Sequence, residues 1–599
     1  MENELKPRVL VTRDDLMRAI KRKGILWKLI TGAGMHLLSL NKLNKFYNMM
    51  YRKGTNEFID AMFQCNNNQL VVNNPELSDI PSTGAFIVVS NHPFGGWDGV
   101  ALIKTLAAKR PDIKFLVNFL IGRIEPLKPN IIEVNPFENR KKLKSNFQGL
   151  KTMHRHLSQG HPIGFFPAGE VSTFYRGVRA PMDRSWQQNI VRLIHKSGLT
   201  VIPVFIPGAN SAWFHRLGKI HPLLRTIRLP GELMRLTNTE IQLHFGRPIQ
   251  ASVQDFIKDS QVFGSFLKMR TYAIGADLAA TDKTGPSAEM EQVIDEVPVD
   301  ILRNEIENLD NSRFLFTIEN YRCYLAPSSE IPNVFAEISR LREISFREVG
   351  EGTGKCCDKD VYDNYYHHLF IWDYIAEKVV GAYRVGFGDQ IMQQYGPNGF
   401  YTSTLFDFTS GFHPYMQHGL ELGRSFVVSE YQRKPAALFL LWKGIVYVLL
   451  KNPGYKYIFG PASISNNYSE YAKILMAEYF TRNHSDAAMA SHVRCKNKFR
   501  YVLYKDMANL VNYCGNDIRK LDRMVEEIDH SAKKMPVLLK KYIAQGARII
   551  HFNVDPDFND AIDGLMIGDV NDIPLSNIQS FVKEIEDPEL MQRFIKAQP

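Results

Sequence analysis

Between residues 60 and 285 short apolar runs alternate with stretches of helical spacing. The runs 85–89, 114–117, 163–166, 201–206 and 241–245 read as buried strands, and 100–108 and 186–196 as helices, the second stopped by Ser197-Gly198. This alternation predicts α/β layering, with chemistry carried on loops at strand ends. A second pattern starts further on. Helix is expected over 337–346, a strand pair over 365–372 and 378–385, and a strand carrying charge over 419–428. The sixteen residues 435–450 are apolar apart from Lys443, which suits a buried helix better than a membrane span. Between the two patterns, Thr284-Gly285-Pro286-Ser287 and the acid-rich 289–310 read as a linker with a solvated helix.

At 599 residues the chain is too long for one ordinary core. The expected division is 1–55, 56–285, a linker at 286–311, and 312–599. A hydrophobic share of 45% and a charged share of 23% are those of a globular protein. Six scattered cysteines offer no paired metal spacing and fit a reduced compartment. His154, His156 and His161 lack a matching carboxylate or cysteine set, so no metal is expected.

The net charge of +10 is concentrated at the start, where residues 1–53 hold twelve Lys and Arg against four Asp and Glu. From 14 to about 51 the spacing is helical, through Leu16, Ile20, Trp27 and Ile30, then Leu40, Leu43, Tyr47 and Met50, with Lys21, Arg22, Lys23 and Lys28 interleaved. A basic amphipathic helix suits an anionic leaflet, and helices packed on the domain with a basic outer face are the alternative. No signal peptide is read at the start, and no apolar run reaches 18 residues, so membrane contact would be peripheral. Nucleic acid lacks any supporting module.

The candidate chemistry begins in Val88-Val89-Ser90-Asn91-His92-Pro93-Phe94-Gly95-Gly96-Trp97-Asp98-Gly99. An imidazole and a carboxylate, five residues between them, stand at the end of a strand and the start of a helix. With an ordinary pKa of about 6.5, a histidine takes a hydroxyl proton near neutrality when an acid fixes its tautomer. The other reading of these residues is a turn histidine and a helix-capping aspartate.

Further blocks follow in order: Arg140 after Ile132-Glu133-Val134-Asn135-Pro136, then Phe166-Pro167-Ala168-Gly169-Glu170-Val171-Ser172, then Val201-Ile202-Pro203-Val204. The ordered set resembles the glycerolipid acyltransferase superfamily of the lysophosphatidate acyltransferase type. The His-to-Asp spacing is one residue longer than usual there, and Val171 stands where an arginine usually helps hold the acceptor phosphate. The wording looks more like the branch of O-acyltransferases that completes aminolipids such as ornithine lipid. The resemblance implies His92 as general base and Asp98 as its orienting partner. It implies substrate contacts at Asn91, Gly95, Gly96, Arg140, Phe166, Pro167, Gly169, Glu170 and Pro203, with backbone amides near Gly95 or Gly169 as oxyanion donors.

In the second half, Arg342, Phe346, the Asp363 and Asp373 region, Val379-Val380-Gly381-Ala382-Tyr383-Arg384 and Glu421-Leu422-Gly423-Arg424 resemble the N-acyltransferase of ornithine-lipid synthesis. More distantly they are similar to acyl-homoserine-lactone synthases, both within the N-acetyltransferase fold. This implies Glu421 as base, with Arg342, Phe346, Asp373, Arg384 and Arg424 toward substrate. Glu421 and Arg424 are three apart on a strand and would face opposite ways, so a bulge at Gly423 is required for both to serve one pocket. A structural Glu–Arg ion pair is the alternative.

Taken whole, the chain resembles the bifunctional ornithine-lipid synthases: an α/β chain of two domains, glycerolipid-acyltransferase-like then N-acetyltransferase-like. That implies N-acylation of an amino acid followed by O-acylation of the product's 3-hydroxyl. No tightly bound cofactor is implied, and acyl-acyl carrier protein or acyl-CoA is the co-substrate. The implied partners are acyl carrier protein, an anionic membrane surface, a lipid acceptor and an amino acid, on the cytoplasmic inner face of the membrane. The residues leave open whether the amino acid is ornithine, glycine, serine or lysine. Two other readings are a lysophospholipid acyltransferase with a carrier-binding or regulatory second domain, and a membrane-surface protein with two inactive enzyme folds.

Overall fold

The computed structural model describes residues 9–14, 35–36, 39–73, 79–134, 144–174, 180–220, 222–281, 290–433, 435–529 and 531–582. The chain forms two compact units, Met1–Thr281 with Val502–Tyr513, and Asp282–Tyr501 with Cys514–Pro599.

The first unit is built on a seven-stranded sheet of β1 (Gln69–Asn73), β2 (Ile87–Ser90), β3 (Lys114–Asn118), β4 (Ile131–Val134), β5 (Ile163–Phe165), β6 (Val201–Phe205) and β7 (Glu240–Phe245), in the order β1-β7-β6-β2-β5-β3-β4. Strands β6, β2, β5, β3 and β4 are parallel, and β7 turns antiparallel to β6. Every residue of β2 is buried, as a strand covered on both faces must be. The helix Gly96–Lys109 follows it and buries Val100, Ala101, Leu102, Ile103 and Leu106. The apolar runs therefore find their strands. Edge strand β1 escapes the pattern because Gln69 and Asn73 are exposed and its middle is half-buried.

Two expectations change. The apolar side chains of the helix Leu40–Met50 pack into the core, with Leu40, Leu43 and Tyr47 buried, so this stretch does not present them to a membrane. Residues 15–34, with Trp27 and the basic cluster, lie outside the described residues. The expected second domain, 312–599, is also interrupted. The helix Lys505–Cys514 contributes to the first unit, where Asp506 accepts from Lys268 Nζ at 2.8 Å and Ser265 Oγ at 3.1 Å, and Tyr513 donates to the Phe256 carbonyl. Local periodicity carries no record of such a long-range pairing.

The second unit holds an eight-stranded sheet of β8 (Phe314–Ile318), β9 (Tyr321–Pro327), β10 (His367–Asp373), β11 (Lys378–Phe387), β13 (Gly419–Val427), β14 (Tyr457–Ile464), β16 (Arg548–Asp555) and β17 (Ala561–Asp569), in the order β16-β17-β14-β13-β11-β10-β9-β8. A small pair, β12 (Phe406–Phe408) and β15 (Val493–Cys495), stands apart from it. Its neighbours are antiparallel except β13 and β14, which pair in parallel from Gly419–Glu421 to Tyr457–Phe459. Past Glu421 that registered pairing stops, although both strands continue. The helix Pro332–Val349 packs on the sheet, and Val299–Glu307 packs with it, burying Leu302 and Ile306. Those two apolar residues, four apart, make part of the expected linker a docked helix.

Candidate active sites

Strands β5, β2 and β6 are neighbours, so the residues after them, Phe166, Asn91-His92 and Ile206, converge at one edge of the sheet. Asn91 ties β2 to β6: its Oδ1 accepts from the Ile206 amide at 2.7 Å and its Nδ2 donates to the Ile206 carbonyl at 2.8 Å. Next in the chain, His92 turns its Nδ1 to within 2.9 Å of Asp98 Oδ2. The same oxygen accepts from the amides of Phe94 at 3.0 Å and Gly95 at 2.8 Å. Asp98 is fully buried and the imidazole is 18% exposed, so the acid is sealed beneath a ring that still reaches the outside. Phe166 stacks on that ring at 4.1 Å between centroids. Burial pushes the Asp98 carboxyl above its ordinary range, opposed by His92 and the two amides. With Nδ1 engaged, Nε2 is the nitrogen that can accept a substrate proton.

The glycines here have a use other than ligand approach. Gly95 has φ +84°, and a Cβ on Gly95 or Gly96 would stand 2.8 Å from Leu229 or 2.7 Å from Leu233. The two residues thus admit the helix Pro222–Arg235, whose Leu233 carbonyl accepts from the Trp97 indole at 3.0 Å. The amides of Gly95 and Gly169 themselves are engaged, because Gly95 N donates to Asp98 and Gly169 N donates to the Phe166 carbonyl.

In the second unit three arginines meet three aspartates. Arg342 places Nε 2.9 Å from Asp358 and Nη2 3.1 Å from Asp363, while Arg384 Nη1 lies 2.6 Å from Asp360 and 3.2 Å from Asp363. Arg424 Nε is 3.2 Å from Asp358, and its Nη1 donates to the Tyr401 hydroxyl at 3.2 Å. The required bulge is present: between Ala382 and Arg384 the pairing of β11 with β13 shifts, and Arg424 has φ +50°. Arg424 and Glu421 consequently meet the same residue, Tyr401, whose amide donates to Glu421 Oε2 at 3.1 Å. Glu421 also accepts from the Tyr366 hydroxyl and, at 2.7 Å, from the Thr402 amide. It is almost fully buried and both oxygens are engaged. Burial opposes the charge on Asp358 and Asp363, but the arginines outweigh it and hold both carboxyls below the ordinary range.

Beyond the last paired residues of β13 and β14, Ser463 Oγ donates to Asp563 at 2.5 Å. Burial, reinforced by Asp555 and Glu351, pushes Asp563 up to about 8, and burial pushes Glu351 up to about 7. Among the described residues no group of three or more His, Cys, Asp or Glu is arranged to hold a metal ion.

Comparison with known proteins finds one matching family model in each unit. Residues 33–281 match the Acyltransferase family model, and residues 341–443 match the model of the Acetyltransferase (GNAT) domain. The chain is a two-domain acyltransferase. It is 29% identical over 340 residues to a glycine N(alpha)-acyltransferase of Phocaeicola vulgatus, covering 52% of this chain and 99% of that one. The glycine N(alpha)-acyltransferase of Bacteroides thetaiotaomicron is 34% identical over 206 residues, 33% of this chain and 60% of that one. A lyso-glycine lipid O-acyltransferase of Phocaeicola vulgatus is 26% identical over 246 residues, 40% of this chain and 85% of that one.

Several residues expected at substrate have structural duties in this acyltransferase. Pro203 lies within the sheet beside Val89, and Asn91 is engaged as described. Pro167 accepts from the Gln187 amide at 2.9 Å, and a Cβ on Gly169, at φ +68°, would stand 1.8 Å from the Gln187 side chain. Glu170 pairs with Arg184 at 3.2 Å, and Arg140 lies outside the described residues. In the GNAT domain Phe346 packs against the core. Asp373 accepts from the amides of Ile375 and Ala376 and from Tyr431, which makes it a turn cap rather than part of the arginine cluster. Its expected place belongs to Asp358, Asp360 and Asp363. Their crowding into six residues before an aromatic run was the available signal.

Proposed function

We propose that the chain assembles an acyloxyacyl amino-acid lipid, with glycine as the amino acid. The GNAT domain transfers a 3-hydroxyacyl group from a thioester to the α-amine, and the acyltransferase domain then esterifies the new 3-hydroxyl from a second thioester. The observation that carries this reading is the near-complete coverage, by one chain, of relatives named for N-acylation of glycine and for O-acylation of lyso-glycine lipid.

In the O-acyl step, His92 Nε2 takes the hydroxyl proton as oxygen attacks the thioester carbon, with Asp98 steadying the imidazolium. Collapse of the tetrahedral intermediate expels the thiolate, which takes the proton from His92. In the N-acyl step the amine must attack uncharged. Glu421 is poorly suited as base because its oxygens already accept from Tyr366, Tyr401 and Thr402. Asp563, beside the parting strands and with a carboxyl at about 8, fits a group that exchanges a proton near neutrality. Arg424, one of three arginines matched by three aspartates, acts on it electrostatically.

The donor is acyl carrier protein rather than CoA in this proposal, and the excess of basic residues in 1–53 supports both an acidic carrier and an anionic inner leaflet as partners. No helix among the described residues is long and apolar enough to cross a membrane. Expression of the whole chain in a host without aminolipids tests the reading by mass spectrometry of extracted lipid. A diacylated glycine lipid is expected, and Asp563→Asn should remove both it and its mono-acylated precursor. New phospholipid species with no amino-acid lipid would overturn it.

A further inference from the structure

A second carboxylate lies under the O-acylation histidine. Asp183 is fully buried, as is Ser172, and its Oδ1 accepts from the His92 amide at 3.2 Å and from the Ser172 hydroxyl at 2.6 Å. Ser172 completes the loop by donating its own amide to the His92 carbonyl at 2.8 Å. Both backbone polar groups of His92 are thereby held by one Ser–Asp pair. The pair is itself fixed. Thr173 and Met182 exchange backbone bonds of 2.8 and 2.9 Å, which sets Ser172 beside Asp183. The Trp186 indole donates to Asp183 Oδ2 at 3.1 Å, and the Asp183 amide donates to the Tyr272 hydroxyl at 2.7 Å.

The same segment holds the neighbouring loop. Gln187 donates its amide to the Pro167 carbonyl at 2.9 Å and its side chain to the Ala168 carbonyl at 3.2 Å. Asp183-Arg184-Ser185-Trp186-Gln187 therefore connects the His92 turn to the Phe166-Pro167-Ala168-Gly169 turn, the two loops between which the imidazole and its stacking Phe166 stand.

We infer that Asp183 is a positioning residue for O-acyl transfer: through the His92 backbone and Ser172 it fixes where the imidazole emerges, and its carboxylate supplies a second negative charge when His92 takes the proton. Two features of the geometry argue for a role beyond folding. A fully buried acid is an expensive way to accept these hydrogen bonds, of which an amide oxygen would accept the two at Oδ1, unless a positive charge forms nearby. The charge that forms here is the imidazolium, with Asp98 on its ring nitrogen and Asp183 on its main chain. A base so placed keeps its geometry through the proton transfer, and a shift of about 1 Å in such a group costs on the order of 100-fold in rate.

This rests on the O-acylation reading above, and the experiment separates the two. The full chain is assayed with an N-(3-hydroxyacyl)glycine acceptor and an acyl thioester, measuring kcat and KM for ester formation together with the thermal transition. Asp183→Asn keeps the Oδ1 acceptor, removes the charge and gives up the Oδ2 bond from the Trp186 indole. It is expected to lower kcat about 100-fold, leave KM for the acceptor within about twofold, and keep a cooperative thermal transition, lowered by the lost Trp186 bond. Ser172→Ala, which removes only the hydroxyl bond to Asp183, should lower kcat by a smaller factor with KM likewise unmoved. Wild-type kcat in Asp183→Asn would overturn the inference. So would a rise in KM or a lost transition in both variants that accounts for the whole deficit. His92→Ala in the same assay guards the parent reading: if ester formation survives it, that reading fails, and if only Asp183→Asn is silent, the inference alone fails.

Discussion

His92→Ala is expected to stop ester formation and to leave amide formation running, so that cells expressing it accumulate the mono-acylated amino acid. The expected fall in O-acyl transfer is about 10²–10⁴-fold, the range for a positioned general base. The partition follows from where the residue sits. His92 belongs to the sheet of the first unit and the arginine cluster to the second, and the two units carry separate family matches. Asp98→Asn should approach the same defect by a different route. Oδ2 of Asp98 accepts from two backbone amides and lies 2.9 Å from His92 Nδ1, so an amide nitrogen there would face donors, and an amide oxygen there would still lack the charge that steadies the imidazolium. Quantifying mono- and diacylated species by mass spectrometry from the two variants and wild type checks this. Equal loss of both species in His92→Ala would mean that the histidine does not serve the ester step alone.

The first site was readable because its chemistry and its elements share one short stretch. His92 and Asp98 stand six positions apart, and the strand before them and the helix after them are both announced by apolar spacing. Ser172 and Asp183 were not readable as partners of His92. The first lay in a block taken as substrate-facing, and the second has no periodic or motif signal, since its contact is made through the Thr173–Met182 backbone pairing. Glycines misled in an instructive way. Gly95 and Gly96 do permit close approach, but what approaches is the helix Pro222–Arg235.

The second site shows the opposite balance. The strand over 419–428 and the need for a bulge followed from the charge pattern, and the bulge occurs with Arg424 in the left-handed region. The roles did not follow. A glutamate in a strand beside an arginine suggests a base, yet Glu421 bonds to the backbone of Tyr401 and Thr402 and to the Tyr366 hydroxyl. Which acids neutralise which arginines is a property of the folded sheet, where residues from 342 to 424 come together. The resemblance implies Asp373 and does not reach Asp358 or Asp360, and the turn at Asp373 explains why that acid is elsewhere engaged.

Arg342→Ala should be the most destabilising single change in the GNAT domain. The guanidinium is 1% exposed and pairs with Asp358 and Asp363, themselves 2% and fully buried. Removing one member of a buried charged pair leaves the other uncompensated, which typically costs about 3–5 kcal/mol. At about 2–4 °C per kcal/mol for a unit of this size, the thermal transition of the second unit should fall by about 6–20 °C. The deficit should also depend on pH in a defined direction. In the wild type the arginines hold Asp358 and Asp363 below the unfolded carboxylate value of about 3.9, so their contribution is complete above that value and is lost as pH falls through the folded values. In the variant, burial, the largest influence on both acids, is opposed by Arg424 and Arg384 at Asp358 and by Arg384 and His368 at Asp363, and the folded carboxyls move upward. Protonation then relieves part of the strain of uncompensated charge, and the gap between variant and wild type narrows from pH 7 to pH 5. Calorimetric scans at the two values decide it: a gap of constant width would mean that Arg342 contributes through packing and not through charge.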